Sequence, residues 1–332
     1  MKKVLGILAI AILLLTSGCG KYGMKEIVKD LNKEMKGLKA YYVEGKMEIY
    51  NNEDIYTYDV TVSYKNDNFY RVSLKNTSNN HEQIILKNND GVYVLTPSLN
   101  KSFKFESEWP YNNSQVYLLQ SLINDINNDK SLSFEEKEDK YVFTTEVNYP
   151  NNRTLIKQNI YLDKKLNLKE VHVLNESGNA EIKMVYNKID KSPTFNDNYF
   201  ELNKNLEAVS DVDITKQVVS IDDVIFPMYI PENTALSSQD TIAKTNGERI
   251  ILTFSGDKPF VLIEETVDIK DEFEIIPTIG EPTMLVDTVG LVSSNSVSWI
   301  SGGMEYYIAS DVLSNEEMVM VAKSISTIPV MK

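Results

Sequence analysis

Between Met24 and Leu38 the apolar residues Ile27, Leu31, Met35 and Leu38 recur at steps of three and four among lysines and glutamates, which predicts a helix with one apolar face. After Gly37 the period falls to two. Tyr56, Tyr58, Val60, Val62 and Tyr64 alternate with Thr57, Asp59, Thr61 and Ser63, the pattern of a strand with one side in an apolar interior and the other in water. Tyr70, Val72 and Leu74 repeat it against Arg71, Ser73 and Lys75. Further strand-like segments run from Ile84 to Lys87, Val92 to Leu95, Ser102 to Phe105, Tyr141 to Val147, Leu155 to Leu162, Glu170 to Leu174 and Ala180 to Tyr186. Asn- and Gly-containing turns separate them. A second helix is expected over Ser114 to Asn127. These elements make one long curved antiparallel sheet with two helices available to cover its apolar face.

The pattern beyond Leu206 is different. Asn203 to Asp213 reads as a linker, followed by a Pro-punctuated segment from Phe226 to Pro231. Strands are expected at Arg249 to Phe254 and Phe260 to Glu265, and a hairpin at Ser296 to Ile300 and Met304 to Ala309. In that hairpin Gly302 and Gly303 supply the positive φ of a tight turn. A terminal helix from Asn315 to Ile325 places Met318, Val321, Ala322 and Ile325 on one face. The chain is therefore divided into 24–205 and a small α+β domain, 206–332.

Charge supports that boundary. Residues 19–205 carry 25 basic against 27 acidic side chains, whereas residues 206–332 carry 7 against 21. Tyrosine shifts with it, 16 of 19 lying in residues 19–205. The acidic half argues against nucleic acid, which requires clustered Lys and Arg. It is read as a source of solubility. Asp211 and Asp213, Asp222 and Asp223, and the run Asp268 to Glu274 lack the glycine-turned spacing of a calcium loop, so no metal is expected.

The N-terminus sets the compartment. Lys2 and Lys3 precede an apolar run from Val4 to Leu15, too short to span a bilayer and suited to a signal peptide over residues 1–18. Thr16, Ser17 and Gly18 then lead into Cys19, the sole cysteine of 332 residues. This stretch resembles the lipobox of bacterial prolipoproteins, although Thr16 stands where Leu is usual. The resemblance implies acylation of Cys19, anchoring at the outer face of the cytoplasmic membrane, and residues 19–23 as a short tether.

The opening helix, N-F-Y-R-V-S-L from Asn68 to Leu74, and I-I-L-K-N-N-D-G-V-Y-V-L-T-P from Ile84 to Pro97 resemble the LolA-like group. The continuation L-N-K-S-F-K-F-E-S-E-W-P, Leu99 to Pro110, is similar to the Firmicute sporulation lipoproteins of that fold, the YdcC and GerS group. The resemblance implies an α+β fold: an incompletely closed antiparallel β-barrel whose helices cover a hydrophobic cavity. It also implies a groove at Tyr56, Tyr58, Val60, Val62, Tyr64, Tyr70, Val72, Leu74, Tyr93 and Leu95, suited to an acyl chain or a lipoprotein if the two helices leave a gap over the sheet; if they fill it, these residues are core and nothing binds.

Catalytic chemistry has little to stand on. The chain has no second cysteine, no nucleophile-elbow motif and no phosphate loop. His81 falls in an Asn-rich turn and His172 in a strand, both expected at the surface, and Trp109 and Trp299 read as packed aromatics. No cofactor is expected. The expectation is a non-enzymatic, lipid-anchored binding or scaffold protein of sporulation or the cell envelope. Two alternatives follow from the resemblance: an RseB-like sensor restraining a transmembrane anti-sigma factor, or an accessory subunit of a cell-wall amidase.

Overall fold

The computed structural model describes residues 23–325 apart from 67, 112, 210–220, 222, 270 and 271. The signal segment, Cys19 and most of the tether lie outside the described residues, as do residues 210–213 at the end of the expected linker. Helix α1, Met24–Gly37, belongs to one compact unit and everything from Leu38 onward to another. The period seen in the sequence holds in α1, where Ile27 and Leu31 are buried.

From Leu38 the chain builds a sheet in sequence order. Its strands are β1 (Ala40–Asn51), β2 (Asp54–Lys65), β3 (Phe69–Asn76), β4 (Glu82–Asn88), β5 (Gly91–Thr96) and β6 (Lys101–Glu106). After helix α2 (Leu119–Asn128) come β7 (Ser133–Glu136), β8 (Lys140–Glu146), β9 (Leu155–Asp163), β10 (Leu168–Asn175) and β11 (Ala180–Asp190). Each hairpin partner lies beside its predecessor, and β11 returns to pair with β1. Strand β1 carries the alternating pattern as clearly as β2 but was not among the expected strands. Tyr41, Val43, Met47 and Ile49 are buried on one face, and Gly45 continues the row.

Gly45 is required where it stands. A Cβ there would lie 2.4 Å from Met184 Cε and 2.5 Å from the Val185 carbonyl oxygen, at an irregularity in the β1–β11 register. The missing side chain lets the two strands approach where the register shifts.

The second half contributes seven strands to another sheet among the described residues, in the order β12-β13-β14-β19-β18-β17-β16. These are β12 (Thr234–Lys244), β13 (Gly247–Gly256), β14 (Phe260–Thr266), β16 (Glu281–Met284), β17 (Val289–Val292), β18 (Ser296–Ser301) and β19 (Met304–Ala309). Gly302 and Gly303 have the positive φ values, 60° and 81°, that the turn between β18 and β19 needs. The terminal helix, Asn315–Lys323, opens with a capping box: Ser314 Oγ accepts from the Glu317 N–H and the Glu317 carboxylate accepts from the Ser314 N–H. Its Met318, Val321 and Ala322 pack on Leu252, Trp299 and Ile308.

Several expectations change. The first sheet is open, as an incompletely closed barrel implies, with edges β7 and β15 (Glu274–Ile279), but β15 was not expected there: it is a strand of the acidic half running parallel to β6. The sheet is therefore not wholly antiparallel. Helix α2 begins at Leu119 and not Ser114, because Val116, Tyr117 and Leu118 are all buried. Three consecutive buried side chains suit a non-helical path, and Leu118 is extended. The expected linker opens instead with helix α3, Leu202–Val209. Leu202 and Leu206 pack against Ile84, Leu86, Tyr93 and Leu95, while Asn205 accepts from Arg71 Nε at 2.7 Å.

Candidate functional site

The alternation in β1, β2 and β3 brings one face of the sheet together. Tyr64 pairs with Tyr41 and Tyr70, Val62 with Val43 and Val72, and Val60 with Gly45 and Leu74. Tyr58, Val60, Val62, Tyr64, Tyr70, Val72 and Leu74 are thus neighbours and buried, whereas Tyr56 at the strand end is only half-buried. An aromatic chain crosses this face. Tyr41 stacks on Tyr64 at 5.1 Å, Tyr64 lies 5.0 Å from Tyr70, and Tyr70 meets the edge of Trp109 at 5.7 Å.

Register separates the remaining two expected groove residues from that row. Val72 pairs with Ile85 and Ile85 with Val94, so Val94 shares the tyrosine face while Tyr93 and Leu95 lie on the other. There they pack with Leu202 and Leu206 of α3. A one-residue step along a strand changes face, which is why these two do not join the groove.

The phenol hydroxyls point to internal partners and not to a rim. Tyr41 donates to Gln120 Oε1 at 2.7 Å, Tyr58 to the Val286 carbonyl at 3.0 Å, and Tyr186 to the Val116 carbonyl. Burial pushes the pKa of all three well above the usual tyrosine range. The centre of the expected groove is packed core.

Space remains at one end of the same face. A cavity of about 270 Å³ opens between the ends of β1 and β11 and the segment from Pro282 to Val289. Met47, Ile49, Ile182, Met284, Leu285 and Met320 line it, and Tyr50, Asn51, Glu181 and Lys323 add polar groups. Asn51 Nδ2 donates to the Lys323 carbonyl at 3.2 Å. Burial lowers the Lys323 ammonium pKa, opposed by the charge of Glu181. Residues 282–289 and the terminal helix were not among the expected groove residues. Their apolar side chains read as core of the second sheet, and only the tertiary contact gives them a second role.

Another cavity, about 310 Å³, lies beside α2 near Tyr70 and Tyr111. Its Asp125 accepts from Ser114 Oγ at 3.1 Å and from Gln158 Nε2 at 2.7 Å. Burial raises this carboxyl to about 6 against those two donors.

The histidines and tryptophans take bland positions. His172 sits 2.9 Å from Glu170 and against Tyr161, half-exposed as expected. His81 is more enclosed than its turn suggested: burial lowers its pKa and Ser98 Oγ lies 3.3 Å from Nδ1. Trp109 is fully buried and Trp299 stacks on Tyr306 at 5.1 Å. Among the described residues no group of three His, Cys, Asp or Glu is placed to hold a metal ion.

The family described as Sporulation protein YdcC-like matches residues 1–200. The chain belongs to this family. Sporulation protein YdcC of Bacillus subtilis (strain 168) is 38% identical over 322 residues, covering 96% of this chain and 94% of that protein. Among solved structures, the MucA/MucB complex of Pseudomonas aeruginosa aligns over 91% of this chain and 98% of the matched one, at 13% identity and a TM-score of 0.34. A LolA superfamily protein of Nitrosomonas europaea aligns over 54% and 98%, at 12% identity and a TM-score of 0.31. The YdcC-like match ends close to residue 205, where the charge balance of the chain changes.

Proposed function

We propose that this YdcC-like protein is a non-enzymatic binding or scaffold protein of the sporulating cell's envelope. It is held at the outer face of the cytoplasmic membrane by lipid on Cys19. The observation that carries the ligand-binding part is the 270 Å³ cavity at the end of the tyrosine-bearing face, with Met47, Ile49, Ile182 and Met284 in its wall. Methionine and branched aliphatic walls with a few polar groups at one side suit a single acyl chain, whether free, on a lipid or on a lipoprotein. In this reading residues 206–332 form a small α+β domain whose segment 282–289 supplies part of the wall, so the ligand is shared between the two halves.

A protein partner is the second reading, and a different observation favours it. Strand β12 is an edge of its sheet and every residue from Ala235 to Ala243 is exposed. Such an edge accepts an extended segment from another envelope protein by strand addition.

The test uses the full mature chain extracted in detergent. Native mass spectrometry with added palmitate should show a one-to-one complex, and Ile182→Trp should abolish it by filling the cavity. Palmitate binding that is absent, or indifferent to the plug, overturns the acyl-chain reading. For the anchor, Cys19→Ala should appear in the medium or as uncleaved precursor, and a variant processed and membrane-bound like the wild type removes that claim.

A further inference from the structure

The cavity beside α2 differs chemically from the acyl-chain site. One face of the helix forms a wall of it: Gln120, Asn124 and Asn128 stand at successive steps of four, so their amides stack along the cavity. Asp125, Asp129 and Glu146 also line it, and no lysine or arginine does. An anion is disfavoured there, and polar groups share the wall about equally with apolar ones such as Leu118 and Val147. At the rim Tyr111 is 53% exposed, its ring 4.6 Å from the Lys87 ammonium.

Two buried atoms in this wall have no hydrogen-bond partner among the described residues, the Asn113 amide oxygen and the Gln120 amide nitrogen. The Gln120 oxygen is already engaged by Tyr41, which leaves its nitrogen as the free donor. A buried donor and a buried acceptor left unmade each cost about 1 to 3 kcal/mol. Both side chains line this cavity, Asn113 lining the 270 Å³ cavity as well, and because the two atoms are covered a side-chain rotation must turn them toward a ligand. A ligand group that donates and accepts at once satisfies both, and hydroxyls do so.

We propose that this cavity is a saccharide site, in which Asn113, Gln120, Asn124 and Asn128 hydrogen-bond ring hydroxyls and Tyr111 packs against a sugar C–H face. The carboxylates add acceptors: Asp125, pushed up by burial, and Asp129, which already accepts from the Glu146 N–H at 2.9 Å. The aromatic face carries negative quadrupole density and attracts the polarised C–H groups of a sugar ring. The inference is independent of the acyl-chain reading.

The experiment titrates the full mature chain, in a detergent without a sugar headgroup, with tri-N-acetylglucosamine and separately with maltotriose. Saturation-transfer NMR and calorimetry read binding. At least one saccharide should bind saturably. Asn124→Ala and Asn128→Ala, exposed helix positions where alanine is favourable, should each weaken it about fivefold at unchanged melting temperature. Ile182→Trp should leave sugar binding intact while removing palmitate, which keeps the two readings distinguishable. Absence of saturable binding by both saccharides, or binding unaffected by the double variant, overturns the proposal. Spermine competing at the same residues while the sugars do not would identify a cation site instead and overturn it equally.

Discussion

The side chain of Gln83 and the backbone of Val289 are bonded as two strand residues would be. Gln83 Nε2 donates to the Val289 carbonyl at 3.2 Å, and its Oε1 accepts from both the Val289 N–H and Thr288 Oγ. All of these groups are buried. One amide on β4 thus substitutes for a missing ladder between the first sheet and the segment that walls the 270 Å³ cavity.

Replacing Gln83 by leucine should therefore cost about 2 to 4 kcal/mol, because a buried N–H and carbonyl lose their partners together. Chemical denaturation checks this. A loss below about 0.5 kcal/mol would show that the Val289 backbone finds other partners or water.

Gly45→Val should destabilise more than a typical surface change, by at least about 2 kcal/mol, since the added Cβ meets a backbone carbonyl that cannot swing away. Gly45→Ala should show most of the effect, because the first carbon makes the contact. A thermal melt of both variants separates this from a simple β-propensity effect, which favours valine.

Stability should fall as pH rises from about 4 to about 7. Burial raises Asp125 to about 6 and Glu264 to about 7, the latter against a donated Ile225 N–H. These two carboxyls hold protons in the folded chain that the unfolded chain has already released, so unfolding becomes easier as they leave. His81, lowered by burial, offsets part of the slope below the usual histidine range. For Asp125 the cost at neutral pH is on the order of 2 to 3 kcal/mol at most. Asp125→Asn should flatten the lower part of the slope and Glu264→Gln the upper part, with melting temperature against pH as the readout. A wild-type melting temperature that rises monotonically from pH 5 to pH 8 would contradict the assignment.

Cutting the chain within residues 210–220 should leave the two fragments associated. Strand β15 hydrogen-bonds β6, Lys101 pairs with Glu305 at 3.0 Å, and Leu99 packs with Val267 and Ile300 across the halves. An inserted protease site followed by size-exclusion chromatography tests this, and fragments that separate without denaturant would refute it.

Local pattern alone determined most strands, because residues two apart share a face whatever lies opposite them. Tyr58, Val60, Val62 and their partners in β3 are buried together as that period requires. The paired glycines at 302 and 303 and the capping box at Ser314 are legible for the same reason: their partners are a few residues away. Family membership was legible too, in the run from Asn68 to Pro110. The candidate sites were not. Whether Tyr93 joins the groove depends on strand register, whether the tyrosine face is open or filled depends on packing, and the cavity wall from Met284 to Val289 depends on a contact spanning some 200 positions. Strand β15 shows the limit most clearly: a short segment within an acidic stretch becomes the parallel edge of a sheet that began at Ala40, because β6 presents an unpaired backbone there and no local period encodes that encounter.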